Sequence, residues 1–306
     1  MNRIMLLPAV LAIIGHAPAQ TTAGQRTIFE FHSGFWINLH QFLIHQAAAP
    51  NPTESDSPEW RDAIAYYRRE MPQDDLLKPG AAALNNRLSA AGSADELPLA
   101  GIDATLAAIL TKAAPVYRRA WWPDHNRSNL SWIDAAKPLI EKYGASMSKD
   151  IAAAYQTPWP QQPIRVDVCA YAGPVGAYTT VEPTHITVSS TDTGYQGDAA
   201  LEMLFHESSH SLDEKLQTEL QRELNARGLL FKRRGFSHAV LFYTAGEITR
   251  KYLPGYQPYG VRHRILENGW PGSLPVLEKD WKPYLDGHAD LPSAVRAIVT
   301  DYSVPK

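Results

Sequence analysis

The chain has 306 residues, 44% of them hydrophobic, with 8 Trp, 14 Tyr and a formal net charge of −3. This composition belongs to a globular protein with a sizeable core and not to a disordered segment, and the nearly balanced charge gives no electrostatic basis for binding nucleic acid or an anionic membrane surface. Cys169 is the single cysteine, which excludes an intramolecular disulfide and a thiolate zinc cluster, so any metal must be held by His, Asp and Glu.

The chain opens MNRIMLLPAVLAIIGHAPAQ, with a positive Arg3, an apolar run over 4–14 and the small residues Ala17-Pro18-Ala19. These are the three parts of a secretory signal peptide. Residues 1–19 are expected to be removed before Gln20, leaving an exported protein, periplasmic or secreted. The apolar run is shorter than the ~20 residues that a bilayer requires, so no membrane span is expected.

Residues 20–160 read as a helical region. Phe35, Leu39, Phe42 and Leu43 recur at helical spacing in SGFWINLHQFLIHQAAA, and the Pro- and Ser-punctuated APNPTESDS over 49–57 is a connector. Further helices are expected over 58–71, where Ser57 caps and Pro58 takes the first turn, and over 102–121, 131–143 and 148–155. His32, His40, His45 and His125 fall here at no ligand spacing and read as structural. From Pro163 the texture turns β-rich: IRVDVCAYAG, VGAYTTV and THITVSS are short runs separated by Gly-Pro and Glu-Pro breaks, which predicts a small antiparallel meander. Helices follow, beginning near Asp198, then over 213–227 with Gly228 as stop, over 237–253, and in two shorter pieces near 276–285 and 292–302. Residues 161–306 are thus expected to form a second region, and the whole an α+β fold, predominantly helical.

Within the first of these later helices lies LFHESSHSL, which contains His206, Glu207 and His210 in the order His-Glu-x-x-His. At ~100° per residue, residues four apart project from one face, one turn apart, so both imidazoles can reach one ion. Glu207 is offset enough to stay out of the coordination while reaching the catalytic water as general base. Leu201, Leu204, Phe205 and Leu212 lie around the other side as a core-facing stripe.

A short set of strands followed by a His-Glu-x-x-His helix resembles the zincin metallopeptidases. The resemblance implies zinc-dependent hydrolysis of a peptide or protein substrate, with His206 and His210 as ligands, Glu207 as base, and a sheet edge that aligns the substrate. THITVSS is then a candidate for that strand, or else a plain structural one. Two alternatives remain: a zinc hydrolase of a non-peptide amide, and an inactive zincin-like binding protein.

Zinc catalysis calls for three protein ligands and an open position. The metzincin pattern would need Gly where Asp213 stands and His or Asp where Leu216 stands. The gluzincin pattern instead places a Glu on a later helix, and Glu247 in YTAGEITRKYL fits, beside a Gly246 that would permit close approach of another helix; its competing role is an ion pair with Arg250 or Lys251. His238 competes for the metal. Nine steps of ~100° put it and Glu247 on opposite faces of one helix, so only one can bind the ion; Glu247 is favoured, with His263 next in line if neither serves. Asp213 and Glu202 are candidates to accept an imidazole N–H. For the oxyanion donor, Tyr259 ranks first among Tyr243, Tyr256, Tyr259, Arg262 and His263, because Pro and Gly flank it in a loop near the Glu247 helix.

Overall fold

The computed structural model describes residues 27–52, 57–71, 78–98 and 100–306. The expected signal peptide and residues 53–56 of the expected connector lie outside them. Strand β1 (Phe29–His32) leads into helices α1 (Phe35–Ala48), α2 (Pro58–Glu70), α3 (Pro79–Ala91), α4 (Ala104–Ala120) and α5 (Trp122–Tyr155). Strands β2 (Ile164–Cys169), β3 (Ala177–Val181) and β4 (Thr184–Ser189) precede α6 (Asp198–Ser209), α7 (Glu214–Arg227), strand β5 (Leu229–Phe231) and α8 (Phe236–Tyr252). Short helices α9 (Tyr259–Arg262), α10 (Ile265–Gly269), α11 (Ser273–Val276) and α12 (Lys282–Leu285), the last two joined by a π-helical turn, lead to α13 (Leu291–Asp301) and β6 (Ser303–Pro305). The fold is therefore α+β and predominantly helical.

Local chemistry sets many of the boundaries. Ser57 accepts the Trp60 N–H at the head of α2, Asp103 accepts two N–H groups of α4, and Gly228 ends α7 with φ of 63°, a conformation that costs glycine no side-chain clash. The two helices expected over 131–143 and 148–155 are one, α5. Pro138 deletes one intrahelical hydrogen bond, but Trp132, Ala136, Met147, Ile151 and Tyr155 form a single buried stripe that holds both halves to the same core. Gly144 sits in α5 where a Cβ would lie 2.7 Å from the Ile28 side chain, so the glycine lets the chain entering β1 pack close.

The sheet differs from an antiparallel meander. Its order is β1-β2-β4-β3; β1 and β4 both run parallel to β2, and only β3–β4 is antiparallel. Short β-branched runs carry no signal for strand direction, and the parallel partner β1 comes from far upstream. The consequence for function is that THITVSS, as β4, is an interior strand bonded on both sides, whereas β3 is an edge strand, as β1 is on the other side.

Among the described residues, the buried hydrophobic residues form two clusters. One core joins α1, α2 and α4 with Cys169, Ala172 and Tyr178. The other joins β1 and α5 with the sheet interior, α6, α8 and α13, so elements from the first half complete the core of the second.

A buried polar strut ties α3 to the sheet. Asp167 on β2 is fully buried; it accepts from Arg165 Nε at 2.7 Å and contacts His185 Nε2 at 2.6 Å. Arg165 also donates to the Ser89 carbonyl at 2.7 Å, and His185 Nδ1 meets Asn86 Oδ1 at 2.8 Å. Burial pushes the Asp167 carboxyl up, but the bonds from His185 and Arg165 outweigh it and hold the group down at about 2. A carboxyl depressed on folding contributes stability above its unfolded value and loses it as pH falls through the folded one. Asp167 is thus expected to contribute on the order of 2 kcal/mol at neutral pH that disappears between pH ~4 and ~2. Thermal unfolding across that range should show a steep acid loss in the natural chain and a shallower one in Asp167→Asn; equal slopes would contradict the assignment.

Candidate metal centre

Helix α6 is buried on every side from Ala199 to Ser209. Leu201, Leu204 and Phe205 enter the main core, and Phe205 meets Phe29 and Trp159 edge-on or tilted. The opposite side lines a cleft of about 1240 Å³, and His206, Glu207 and His210 open onto it. His210 is the C-cap residue and keeps helical backbone angles, so the one-turn offset of the two imidazoles is preserved.

Helix α8 crosses α6 and brings His238 to the same place. Single ring nitrogens of His206, His210 and His238 lie within 4.8 Å of one another, and the Nε2 atoms of His206 and His238 are 3.1 Å apart. Zn–N bonds of 2.0–2.1 Å in a tetrahedron imply nitrogen separations of roughly 3.3 Å, so the three imidazoles could hold a metal ion of that size with modest adjustment. Burial, then the mutual repulsion of the rings, pushes His206 well below its ordinary value; burial takes His210 and His238 down to about 4. These shifts favour the neutral ring, the form in which imidazole binds metal. Phe242 stacks on His206 with centroids 3.9 Å apart, and Trp270 packs edge-on to His238 at 5.7 Å, which fixes two of the rings.

Glu247 is not part of this cluster. Nine residues separate it from His238 on the regular helix α8, and it is His238 that stands beside His206 and His210. Glu247 pairs with Arg250 at 2.5 Å and lies 3.6 Å from Lys282. The glycine beside it permits a close approach: a Cβ on Gly246 would meet Pro258 at 2.6 Å and Glu202 of α6 at 3.3 Å. Of the two residues weighed as third ligand, His238 stands with His206 and His210 in a group that could hold a metal ion, and Glu247 does not.

Glu207 lines the cleft with 5% exposure. Burial pushes its carboxyl up to about 7, against the hydrogen bond from Thr179. Tyr259 lines the same cleft, its ring against Tyr195, Phe242 and His263. Its backbone N–H donates to Glu202 Oε2 at 2.8 Å, so the buried Glu202, expected as a partner of the imidazoles, instead anchors the Tyr259 turn to α6. Asp213 accepts from Gln217 at 2.8 Å. Tyr243 and Tyr256 face a smaller cavity shared with Glu247; Arg262 and His263 are exposed.

The edge strand β3 lines the cleft throughout, from Ala177 to Val181, and α3 lines it with Ala82, Ala83, Asn86, Arg87 and Ala90. Thr179, Phe242 and Trp270 were not legible as site residues. Thr179 carries no motif, and the two aromatics read as ordinary core. Compared with known proteins, the chain matches no family model, no curated protein and no solved structure.

Proposed function

We propose that the chain is an exported zinc metallopeptidase of zincin type whose ligands are His206, His210 and His238. The observation that carries this reading is the convergence of three imidazoles beside Glu207 in a cleft bounded by an edge strand. When bound, zinc acidifies water and polarises the scissile carbonyl. Glu207 takes the proton of the attacking water and returns it to the leaving amine nitrogen. Tyr259 donates its hydroxyl to the developing oxyanion. A peptide is favoured over a small amide because an extended chain can add to the free edge of β3 by backbone hydrogen bonds, and because the cleft exceeds the ~300–1,000 Å³ of small-molecule pockets. Val175, Val181, Phe242, Ile265 and Trp270 in its walls favour apolar side chains near the scissile bond.

The test uses the exported chain, collected outside the cytoplasm. Its mass should place the N-terminus at or close to Gln20, it should cleave members of a peptide library, and a zinc chelator should abolish cleavage until zinc is restored. Hydrolysis of simple acyl amides with no cleaved peptide would favour the non-peptide alternative, and an intact Met1 would contradict export.

A further inference from the structure

We infer that Thr179 is a positioning residue: it holds the Glu207 carboxylate, so that the strand along which a substrate lies also orients the base. This rests on the peptidase reading above. The Thr179 Oγ1 lies 2.7 Å from Glu207 Oε2 and 2.9 Å from the Glu207 carbonyl oxygen. The hydroxyl has one proton, and of the two oxygens it can reach the carboxylate oxygen is the nearer. One carboxylate oxygen is thereby tied to β3, which leaves the other for water in the cleft.

The register of β3 gives the same residue a second face. Ser189 donates its N–H to Gly176, so in this antiparallel pair the residues bonded to β4 are Gly176, Tyr178 and Thr180, and Ala177, Thr179 and Val181 turn their N–H and C=O outward to the free edge. Side chains alternate too: Tyr178 reaches Gln41 and Asn85 on one face of the sheet, Thr179 reaches α6 on the other. Thr179 is therefore the residue whose backbone meets an added strand and whose side chain meets the base.

Thr179→Val keeps the shape and deletes the hydroxyl; Thr179→Ala deletes it without filling the space; Thr179→Ser keeps it. In crystals of the zinc-free full chain, the Glu207 carboxylate should leave its place in the Val and Ala variants and keep it in Ser. With zinc and a cleaved peptide, Val and Ala should lose kcat on the order of tenfold to a hundredfold, part of what a general base supplies, with KM and zinc content little changed, and Ser should remain close to the natural chain. An unmoved carboxylate with unchanged kcat in Thr179→Val would overturn the inference. So would Thr179→Ser falling as far as Thr179→Val, which would assign the effect to methyl packing. If the natural chain cleaves no peptide, the peptidase reading fails, and the carboxylate position in the variant crystals still decides the role of Thr179.

Discussion

Glu207→Gln is expected to lose ~10²–10⁴ in kcat, the usual contribution of a positioned general base, while binding zinc as the natural chain does. The amide is isosteric and its oxygen can still accept from Thr179, so α6 and the histidines keep their places, but it cannot take a proton from water. Peptide turnover and zinc content measured on the same preparation separate the two effects. Full activity would remove Glu207 from the chemistry, and loss of zinc would make it a ligand.

His238→Ala should weaken zinc binding by more than about a hundredfold, beyond the 10–100-fold typical of residues that only support a ligand, because two imidazoles then face an ion that needs three protein ligands. Glu247→Ala should leave zinc binding intact. Its carboxylate is spoken for by Arg250 and Lys282 on the far side of α8, and the variant loses at most these partly exposed ion pairs, each worth roughly 0–1 kcal/mol. Calorimetric zinc titration of both variants reads the difference, and the reverse ranking would restore a two-His, one-Glu site.

The contrast between these two residues marks how far the sequence could be read. Helical periodicity placed His206 and His210 on one face with Glu207 offset from them, and put His238 and Glu247 on opposite faces, because both statements depend only on rotation per residue. Which face of α8 turns toward α6 depends on packing between helices. Gly246 does mark a close approach, by Pro258 and by Glu202 of α6, but that approach does not bring Glu247 to the histidines. In the sheet, alternation located β2, β3 and β4 but not their order; the uninterrupted burial of HITVS against the exposed Val181 at the end of AYTTV is the trace of interior and edge. The four-residue FEFH of β1 is too short to signal a strand, and the Asn- and Ser-containing α3 lacks a strong apolar stripe, with only Leu84 and Leu88 as its large buried hydrophobics. Tyr259 was reached through its flanking Pro and Gly, whereas Thr179 depends on a contact between strand and helix that no spacing along the chain encodes.

Anomalous diffraction at the zinc edge from crystals of the full chain soaked in zinc tests the central claim most directly. The account predicts one strong peak within bonding distance of ring nitrogens of His206, His210 and His238, with Glu207 outside the coordination and Glu247 still beside Arg250. A peak bonded to the Glu247 carboxylate, or no peak at the three histidines under saturating zinc, would contradict it.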